Sequence, residues 1–159
     1  MSKNIKCSMI GKQKVGKSRF FDVYLERKIH DYTPTIGVDF LKINNMVIWD
    51  TSGDNRFITV TRNFVLSSTI LFCVYRDFDS YTWINNYMKS LDFKFIPVKK
   101  IFFINVGSID GYFDVDCIEH HYFKCDFTKK SVDECIRFIQ DKITVKQETV
   151  KNRGYCGWF

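Results

Sequence analysis

The stretch Gly11-Lys12-Gln13-Lys14-Val15-Gly16-Lys17-Ser18 has the spacing G-x-x-x-x-G-K-S, which is typical of a phosphate-binding loop. An apolar run at residues 4–10 precedes it and predicts a strand, and residues 17–27 predict a helix. The glycines let the backbone curl so that its N–H groups form an anion site at the start of that helix. The pattern predicts Lys17 on the terminal phosphates and the Ser18 hydroxyl on Mg²⁺. The alternative is an ordinary glycine-rich turn.

The composition predicts one globular domain. The chain has 159 residues, of which 45% are hydrophobic and 26% charged. Its formal net charge is +6, but Lys and Arg are spread along the chain, which favours a basic solvated surface over a nucleic-acid-binding patch. No apolar run reaches about 18 residues and no signal peptide is evident, so we expect a cytoplasmic protein with reduced cysteines. Cys7, Cys73 and Cys135 lie in apolar patterns and are predicted core residues.

Strands and helices alternate along the rest of the chain. Apolar or β-rich runs predict further strands at residues 38–43, 46–50, 69–75, 101–106 and 121–125. Asn44-Asn45 predicts a tight hairpin between the first two. Helical spacing recurs at residues 80–91 and after Ser131, where S-x-x-E is typical of a helix start. We therefore expect an α/β fold with a mostly parallel, doubly wound sheet, one antiparallel edge hairpin, and a nucleotide at the carboxyl ends of the strands.

Two further motifs follow the phosphate loop. The chain reads Thr-Ile-Gly-Val-Asp-Phe at residues 35–40 and Trp-Asp-Thr-Ser-Gly-Asp-Asn-Arg-Phe at residues 49–57. Together with the phosphate loop, these motifs resemble the Ras superfamily of small GTPases, and their residues point to its Rab branch. The resemblance is specific from about residue 5 to residue 75 and looser beyond. It implies a P-loop NTPase small G domain at residues 1–148, followed by a short tail at residues 149–159.

The resemblance also implies roles for particular residues. The expected ligands of GTP or GDP are Gly11, Lys14, Val15, Gly16, Lys17, Ser18, Arg19, Thr35, Gly53 and Asp110. The expected ligands of Mg²⁺ are Ser18, Thr35 and Asp50. The residues assigned to GTP hydrolysis are Lys17, Thr35 and Asp54. Effector and regulator proteins are expected at a switch surface formed by Ile36, Phe40, Trp49 and Phe64. Alternatively, the three aromatic residues of this set pack in the core.

Asp54 stands where the family carries a glutamine that orients the attacking water. A carboxylate there is shorter, donates no hydrogen bond when ionised, and repels the γ-phosphate. Gln13 and Lys14 replace residues that are usually small, which puts Gln13 in the way of an incoming arginine finger and adds the positive charge of Lys14 near the phosphates. We therefore expect slow hydrolysis.

The motifs that read guanine are weaker than the phosphate loop. Where the family shows N-K-x-D, the chain reads Gly107-Ser108-Ile109-Asp110, so the aspartate is kept but the stacking lysine is lost. The later S-A-K motif falls on Cys125-Asp126-Phe127, where Phe127 is either a stacking partner for the base or a core residue. The interval between Asp110 and Cys125 is short, so we expect the helix that the family carries there to be shortened or lost.

The chain ends Tyr155-Cys156-Gly157-Trp158-Phe159, which places Cys156 where a C-a-a-X lipidation motif requires it. A geranylgeranyl group on Cys156, with lysines upstream, would give reversible anchoring on the cytosolic face of a membrane. The bulky Trp158 and the lack of a second terminal cysteine argue against this motif, so a free thiol in a frayed tail is an equally open alternative.

Three functions are consistent with these residues. The first is a Rab-like GTPase that hydrolyses GTP slowly and acts as a molecular switch in membrane trafficking. The second is a pseudo-GTPase that engages Rab regulators or effectors without turnover. The third is a P-loop protein with relaxed base choice that includes ATP. The switch motifs argue against a P-loop kinase.

Overall fold

The computed structural model describes residues 3–29, 31–115 and 118–151, with side chains up to residue 144. Its strands are β1 (Ile5–Ile10), β2 (Val38–Ile43), β3 (Met46–Thr51), β4 (Ile70–Tyr75), β5 (Lys100–Asn105) and β6 (Glu119–Lys124). Its helices are α1 (Lys17–Tyr24), α2 (Ile58–Ser67), α3 (Phe78–Lys89) and α4 (Lys129–Lys151). A 3₁₀ turn at Asn55–Phe57 precedes α2.

The six strands form one sheet in the order β2-β3-β1-β4-β5-β6. The β2–β3 pair is antiparallel, and the other neighbouring pairs are parallel. The chain turns between β2 and β3 at Asn44, which has a φ of 52°, a conformation that asparagine adopts more readily than most residues. The predicted α/β fold, with a mostly parallel sheet and one antiparallel edge hairpin, is confirmed.

Alternating side chains of the sheet bury one apolar core on each face. In β4, Phe72 and Val74 belong to the core shared with α1 and α4, whereas Leu71 and Cys73 belong to the core shared with α2 and α3. All residues of β4 are buried, as expected for a central parallel strand that is covered on both sides. Burying one such side chain contributes about 1.5–3 kcal/mol to the stability of the fold. The central strands therefore give a stable framework for the site described below.

The last helix begins earlier than the sequence predicted. Ser131 was expected as its first capping residue, but α4 begins at Lys129. The hydroxyl of Thr128 accepts a 3.2 Å hydrogen bond from the Ser131 N–H, so Thr128 takes the capping role. The Asp126 carboxylate in turn accepts from the Thr128 N–H at 2.9 Å, which fixes the turn that leads into α4. The prediction of Ser131 as the cap is therefore wrong.

The connection from β5 to β6 contains no helix at residues 106–115 or at residue 118, the part of it that the structure describes. The predicted shortening of this region is confirmed. Gly107 packs directly on the chain after β4, since a Cβ atom at this position would lie 1.7 Å from the Arg76 carbonyl oxygen. The close packing brings the end of β5 and the residue after β4 together at the carboxyl edge of the sheet.

Candidate nucleotide-binding site

A cavity of about 420 Å³ lies at the carboxyl edge of the sheet. The predicted nucleotide ligands among its lining residues are Lys14, Val15, Gly16, Lys17, Ser18, Arg19, Thr35 and Gly53. Its other lining residues are Gln13, Asp22, Ile29, Asp31, Tyr32, Thr33, Ser52, Arg76 and Phe127. The structure therefore brings the phosphate loop and both switch motifs to one cavity, at the edge where a doubly wound sheet binds ligands.

The phosphate loop curls between β1 and α1 through two residues with positive φ. Gly16 has a φ of 111°, which only glycine adopts without strain. Lys14 has a φ of 65° although it carries a side chain, and its Nζ lies 5.5 Å from the centre of the Tyr32 ring. The left-handed backbone conformation costs a residue with a side chain about 1–2 kcal/mol. The surrounding loop therefore holds the Lys14 backbone in this conformation. Its contact with Tyr32 joins the phosphate loop to the segment that leads into β2.

Lys17 is buried at the start of α1. Its Nζ donates hydrogen bonds to the carbonyl oxygens of Gly11, at 2.7 Å, and Lys12, at 3.2 Å. Burial lowers the pKa of Lys17 to about 8, although the Asp50 carboxylate acts in the opposite direction. A buried ammonium group next to an anion is favoured in its charged form, so a phosphate in the cavity would stabilise the charge that burial penalises.

Ser18, Thr35 and Asp50 meet beside Lys17. The Ser18 hydroxyl donates a 2.6 Å hydrogen bond to Oδ2 of Asp50 and lies 3.1 Å from Oγ1 of Thr35. Asp50 is buried, and burial raises its pKa to about 6 against the opposing effects of Ser18 and Lys17. Its second oxygen, Oδ1, is buried without a hydrogen-bond partner among the residues that the structure describes.

These three side chains fit a magnesium ion. Hydroxyl and carboxylate oxygens are the donors that Mg²⁺ prefers, and Mg²⁺ usually keeps several bound waters. A buried carboxylate oxygen without a partner is costly, and a Mg²⁺-bound water would satisfy Oδ1 of Asp50. The residues predicted as metal ligands therefore lie together and have the right chemistry, and their role remains a prediction.

Gly53 lies directly on the phosphate loop. Its carbonyl oxygen accepts a 3.1 Å hydrogen bond from the Gln13 N–H. A Cβ atom at Gly53 would lie 2.3 Å from the Gln13 nitrogen and 2.4 Å from the Lys12 carbonyl carbon, which no side chain tolerates without a backbone shift. Glycine at this position is therefore required for contact between the second switch motif and the phosphate loop.

Asp54 does not line the cavity. Its carboxylate accepts hydrogen bonds from the Arg56 backbone N–H at 2.9 Å and from the Arg56 guanidinium at 2.6 Å. These bonds lower the pKa of Asp54, so the carboxyl group is ionised at neutral pH. In this structure Asp54 caps the 3₁₀ turn before α2 and offers no hydrogen-bond donor to a water in the cavity.

Two of the predicted nucleotide ligands, Gly11 and Asp110, are not among the residues that line the cavity. Gly11 contributes its carbonyl oxygen to Lys17 from behind the cavity wall. Asp110 is exposed and is not among the lining residues, so the structure does not bring it to the cavity. Cys156 falls outside the described residues.

Arg76 lines the cavity but was not predicted from the sequence. Its place directly after a buried parallel strand was a signal that it would reach the carboxyl edge of the sheet.

The predicted switch surface has the geometry of a contiguous aromatic row. The ring centroids of Phe40 and Trp49 are 5.4 Å apart, and those of Trp49 and Phe64 are 4.8 Å apart. Phe40 is 61% exposed, and neither Trp49 nor Phe64 belongs to the two buried cores. Ile36 beside them is 84% exposed. The row is therefore accessible to a partner protein, and its role in binding effectors remains a prediction.

A doubly wound sheet with a phosphate loop and two switch motifs at one cavity defines a small G domain. Residues 6–108 match the family model described as "Ras of Complex, Roc, domain of DAPkinase". The chain belongs to the Ras superfamily of GTPase domains and is Rab-like.

Several Rab proteins and their relatives are similar to the chain. It is 44% identical over 59 residues to Ras-related protein Rab-7B of Dictyostelium discoideum, covering 35% of this chain and 30% of that protein. It is 34% identical over 101 residues to GTP-binding protein YPT1 of Saccharomyces cerevisiae, covering 55% and 48%. It is 25% identical over 177 aligned residues to Ras-related protein rab-39 of Caenorhabditis elegans, covering 94% and 77%. The chain spans less than half the length of the first two relatives.

Proposed function

We propose that this GTPase domain is a Rab-like molecular switch that binds GTP and GDP together with Mg²⁺ and hydrolyses GTP slowly. One observation carries the proposal: Lys17, Ser18 and Thr35 line a single cavity, and the Ser18 hydroxyl joins Thr35 to the buried Asp50 carboxylate behind it. A cation next to a set of oxygen donors suits a phosphate chain with a bound metal ion. Membership of the Ras superfamily supports the same conclusion.

In this proposal the phosphate loop and Lys17 hold the β- and γ-phosphates. Ser18 and Thr35 would bind Mg²⁺ through their hydroxyl groups, and Asp50 through a bound water. The metal ion would neutralise charge on the phosphate oxygens. Lys17 would remain protonated beside these oxygens, because an adjacent anion favours the charged form.

The switch would arise from Thr35 and Gly53. Thr35 lies on a loop before β2, with its hydroxyl 3.1 Å from the Ser18 hydroxyl. Gly53 lies on the phosphate loop through its contact with Gln13. A γ-phosphate gives both residues a ligand that GDP lacks, so the two segments would be ordered differently in the two states. Ile36 follows Thr35 directly and Phe40 lies five residues after it, in β2, which would carry the change to the aromatic row.

Slow hydrolysis follows from the position of Asp54. Its carboxylate is ionised, bound to Arg56 and away from the cavity, so it would not orient an attacking water. The described residues offer no observation that favours a binding module without turnover over a slow switch.

A role in membrane trafficking rests on the Rab likeness alone. Within residues 3–29, 31–115 and 118–151, no helix has the length and hydropathy needed to cross a bilayer. We propose that membrane attachment uses a prenyl group on Cys156. A mass shift on protein from eukaryotic cells, absent in Cys156→Ser, tests this point.

The binding proposal is tested by titrating GTP and GDP into the whole chain with and without Mg²⁺. Lys17→Ala should weaken the affinity for both nucleotides by about 100-fold or more, because it removes the buried cation from the phosphate site. The matched control is Lys6→Ala, which removes an exposed lysine from β1 and should leave the affinity unchanged. Equal affinity of Lys17→Ala and the native chain would contradict the proposal.

A further inference from the structure

Phe127 follows β6 in a backbone conformation that bulky residues rarely adopt. Its φ is 63°. Hydrogen bonds on either side of it hold this turn, since the Asp126 carboxylate accepts from the Thr128 N–H at 2.9 Å and from the Thr128 hydroxyl at 2.7 Å. Non-glycine residues in the left-handed region are found preferentially at ligand sites, where the surrounding structure fixes a side chain in one direction.

The turn places the Phe127 ring against the phosphate loop. A Cβ atom at Gly16 would lie 2.4 Å from Cζ of Phe127, so the ring edge touches the loop where glycine leaves room for it. The guanidinium carbon of Arg19 lies 4.9 Å from the ring centre, a cation–π contact. The ring is half-buried and lines the nucleotide cavity. The Phe127 ring is therefore held in place by its contacts with Gly16 and Arg19, and it forms part of the cavity wall.

The order of the strands indicates which end of the nucleotide meets this ring. Thr35, Asp50 and Gly53 lie near β2 and β3, on one side of the phosphate loop that follows β1. Phe127 follows β6, on the opposite side. A nucleotide whose terminal phosphate points to the β3 side therefore extends its base toward the β6 side. Arg76, after the intervening strand β4, lines the same cavity.

We propose that Phe127 is the residue on which the base stacks, and that this aromatic surface lets the site bind a nucleoside triphosphate without requiring guanine. The proposal rests on the proposed function, because it assumes that the phosphates bind at Lys17. Stacking on an aromatic side chain accepts any base, since every base has a π face. Asp110, the predicted reader of the guanine edge, is exposed and is not among the residues that line the cavity.

The test is calorimetric titration of the whole chain, in Mg²⁺, with GTP, ATP and inorganic tripolyphosphate. Tripolyphosphate carries the phosphates without a base, so it reports on the phosphate loop alone. The variants are Phe127→Ala, which removes the ring, and Phe127→Trp, which keeps an aromatic surface. Phe95→Ala is the matched control, because it removes a phenyl ring that is 85% exposed before β5, away from the cavity.

For the native chain we expect the affinities for GTP and ATP to agree within about tenfold. Phe127→Ala should weaken both by about 10- to 100-fold and leave the affinity for tripolyphosphate unchanged. Phe127→Trp should bind both nucleotides as the native chain does, and Phe95→Ala likewise.

Three results would overturn the inference. The first is native preference for GTP over ATP by more than about 1,000-fold, which indicates hydrogen bonding to the guanine edge. The second is unchanged nucleotide affinity in Phe127→Ala. The third is an equal loss for tripolyphosphate in Phe127→Ala, which indicates that the ring only supports the phosphate loop. Failure of the proposed function would look different, because the native chain would then bind neither nucleotide nor tripolyphosphate, and the inference would fall with it.

Discussion

The hydroxyl of Ser18 donates a 2.6 Å hydrogen bond to the Asp50 carboxylate, which joins the first turn of α1 to the end of β3. The same hydroxyl lies 3.1 Å from the hydroxyl of Thr35, so one side chain connects the phosphate loop to both switch motifs. The second oxygen of Asp50 is buried and has no hydrogen-bond partner in the described part of the chain. This arrangement is where the proposed metal ion would bind.

Ser18→Ala should reduce the effect of Mg²⁺ on nucleotide binding. The variant removes a predicted metal ligand and the hydrogen bond that orients Asp50. We expect the acceleration of nucleotide release by EDTA to fall by about 10-fold or more, measured as the dissociation rate of a fluorescent GDP analogue with and without EDTA. Ser18→Thr, which keeps the hydroxyl, should behave as the native chain does. An unchanged EDTA response in Ser18→Ala would exclude a metal ion at this hydroxyl.

Asp54→Gln should accelerate GTP hydrolysis. Glutamine is longer, donates a hydrogen bond and cannot form the ion pair with Arg56 that now occupies Asp54. We expect a single-turnover rate at least about tenfold above that of the native chain. Asp54→Asn, which removes the charge without adding length, separates the two effects. A rate for Asp54→Gln equal to the native rate would show that Asp54 is not the cause of slow turnover.

Gly53→Ala should destabilise the contact between the second switch motif and the phosphate loop. The new methyl group would lie 2.3 Å from the Gln13 nitrogen, which is backbone and cannot rotate away. We expect the free energy of unfolding to fall by about 1–3 kcal/mol, with weaker nucleotide binding. Urea unfolding and a GTP titration measure the two effects. Unchanged stability and affinity would show that the two segments are normally apart.

Glu26→Gly should stabilise the domain. Glu26 follows α1 with a φ of 54°, and its N–H donates to the Val23 carbonyl oxygen at 3.2 Å. Glycine adopts this conformation without strain, so we expect the free energy of unfolding to rise by about 0.5–1 kcal/mol in urea. Glu26→Ala removes the same charge but keeps the strain, and should bring no such gain. If both variants had the same stability, relief of strain would not be the explanation.

The sequence predicted the fold well because its strands are strongly patterned. The runs at residues 38–43 and 69–75 have the β-branched and aromatic composition of strands, and the structure places β2 and β4 there within one residue. The helix α2 was not located, because its residues show no clear apolar face at the sequence level. The start of α4 was misplaced, since both Thr128 and Ser131 are suitable caps and only the Asp126 turn decides between them.

The phosphate side of the site was predicted far better than the base side. A phosphate loop is local in sequence, so its spacing alone brings Lys17 and Ser18 to one helix start. The proposed base side lies at the ends of β4 and β6, and its geometry depends on a strained turn at Phe127 that the sequence does not predict. Asp110 was predicted from a motif whose neighbouring positions differ from the family pattern, and the described residues that follow it, 111–115 and 118, form no helix.

The most direct test of the account is the nucleotide that accompanies the purified protein. The freshly isolated chain is denatured and its nucleotide is separated by ion-pair chromatography and quantified against protein. The account predicts about one nucleotide per chain, including guanine nucleotide, with the triphosphate in excess over the diphosphate because hydrolysis is slow. A chain that carries no nucleotide, and takes up none when GTP and Mg²⁺ are supplied, would contradict it.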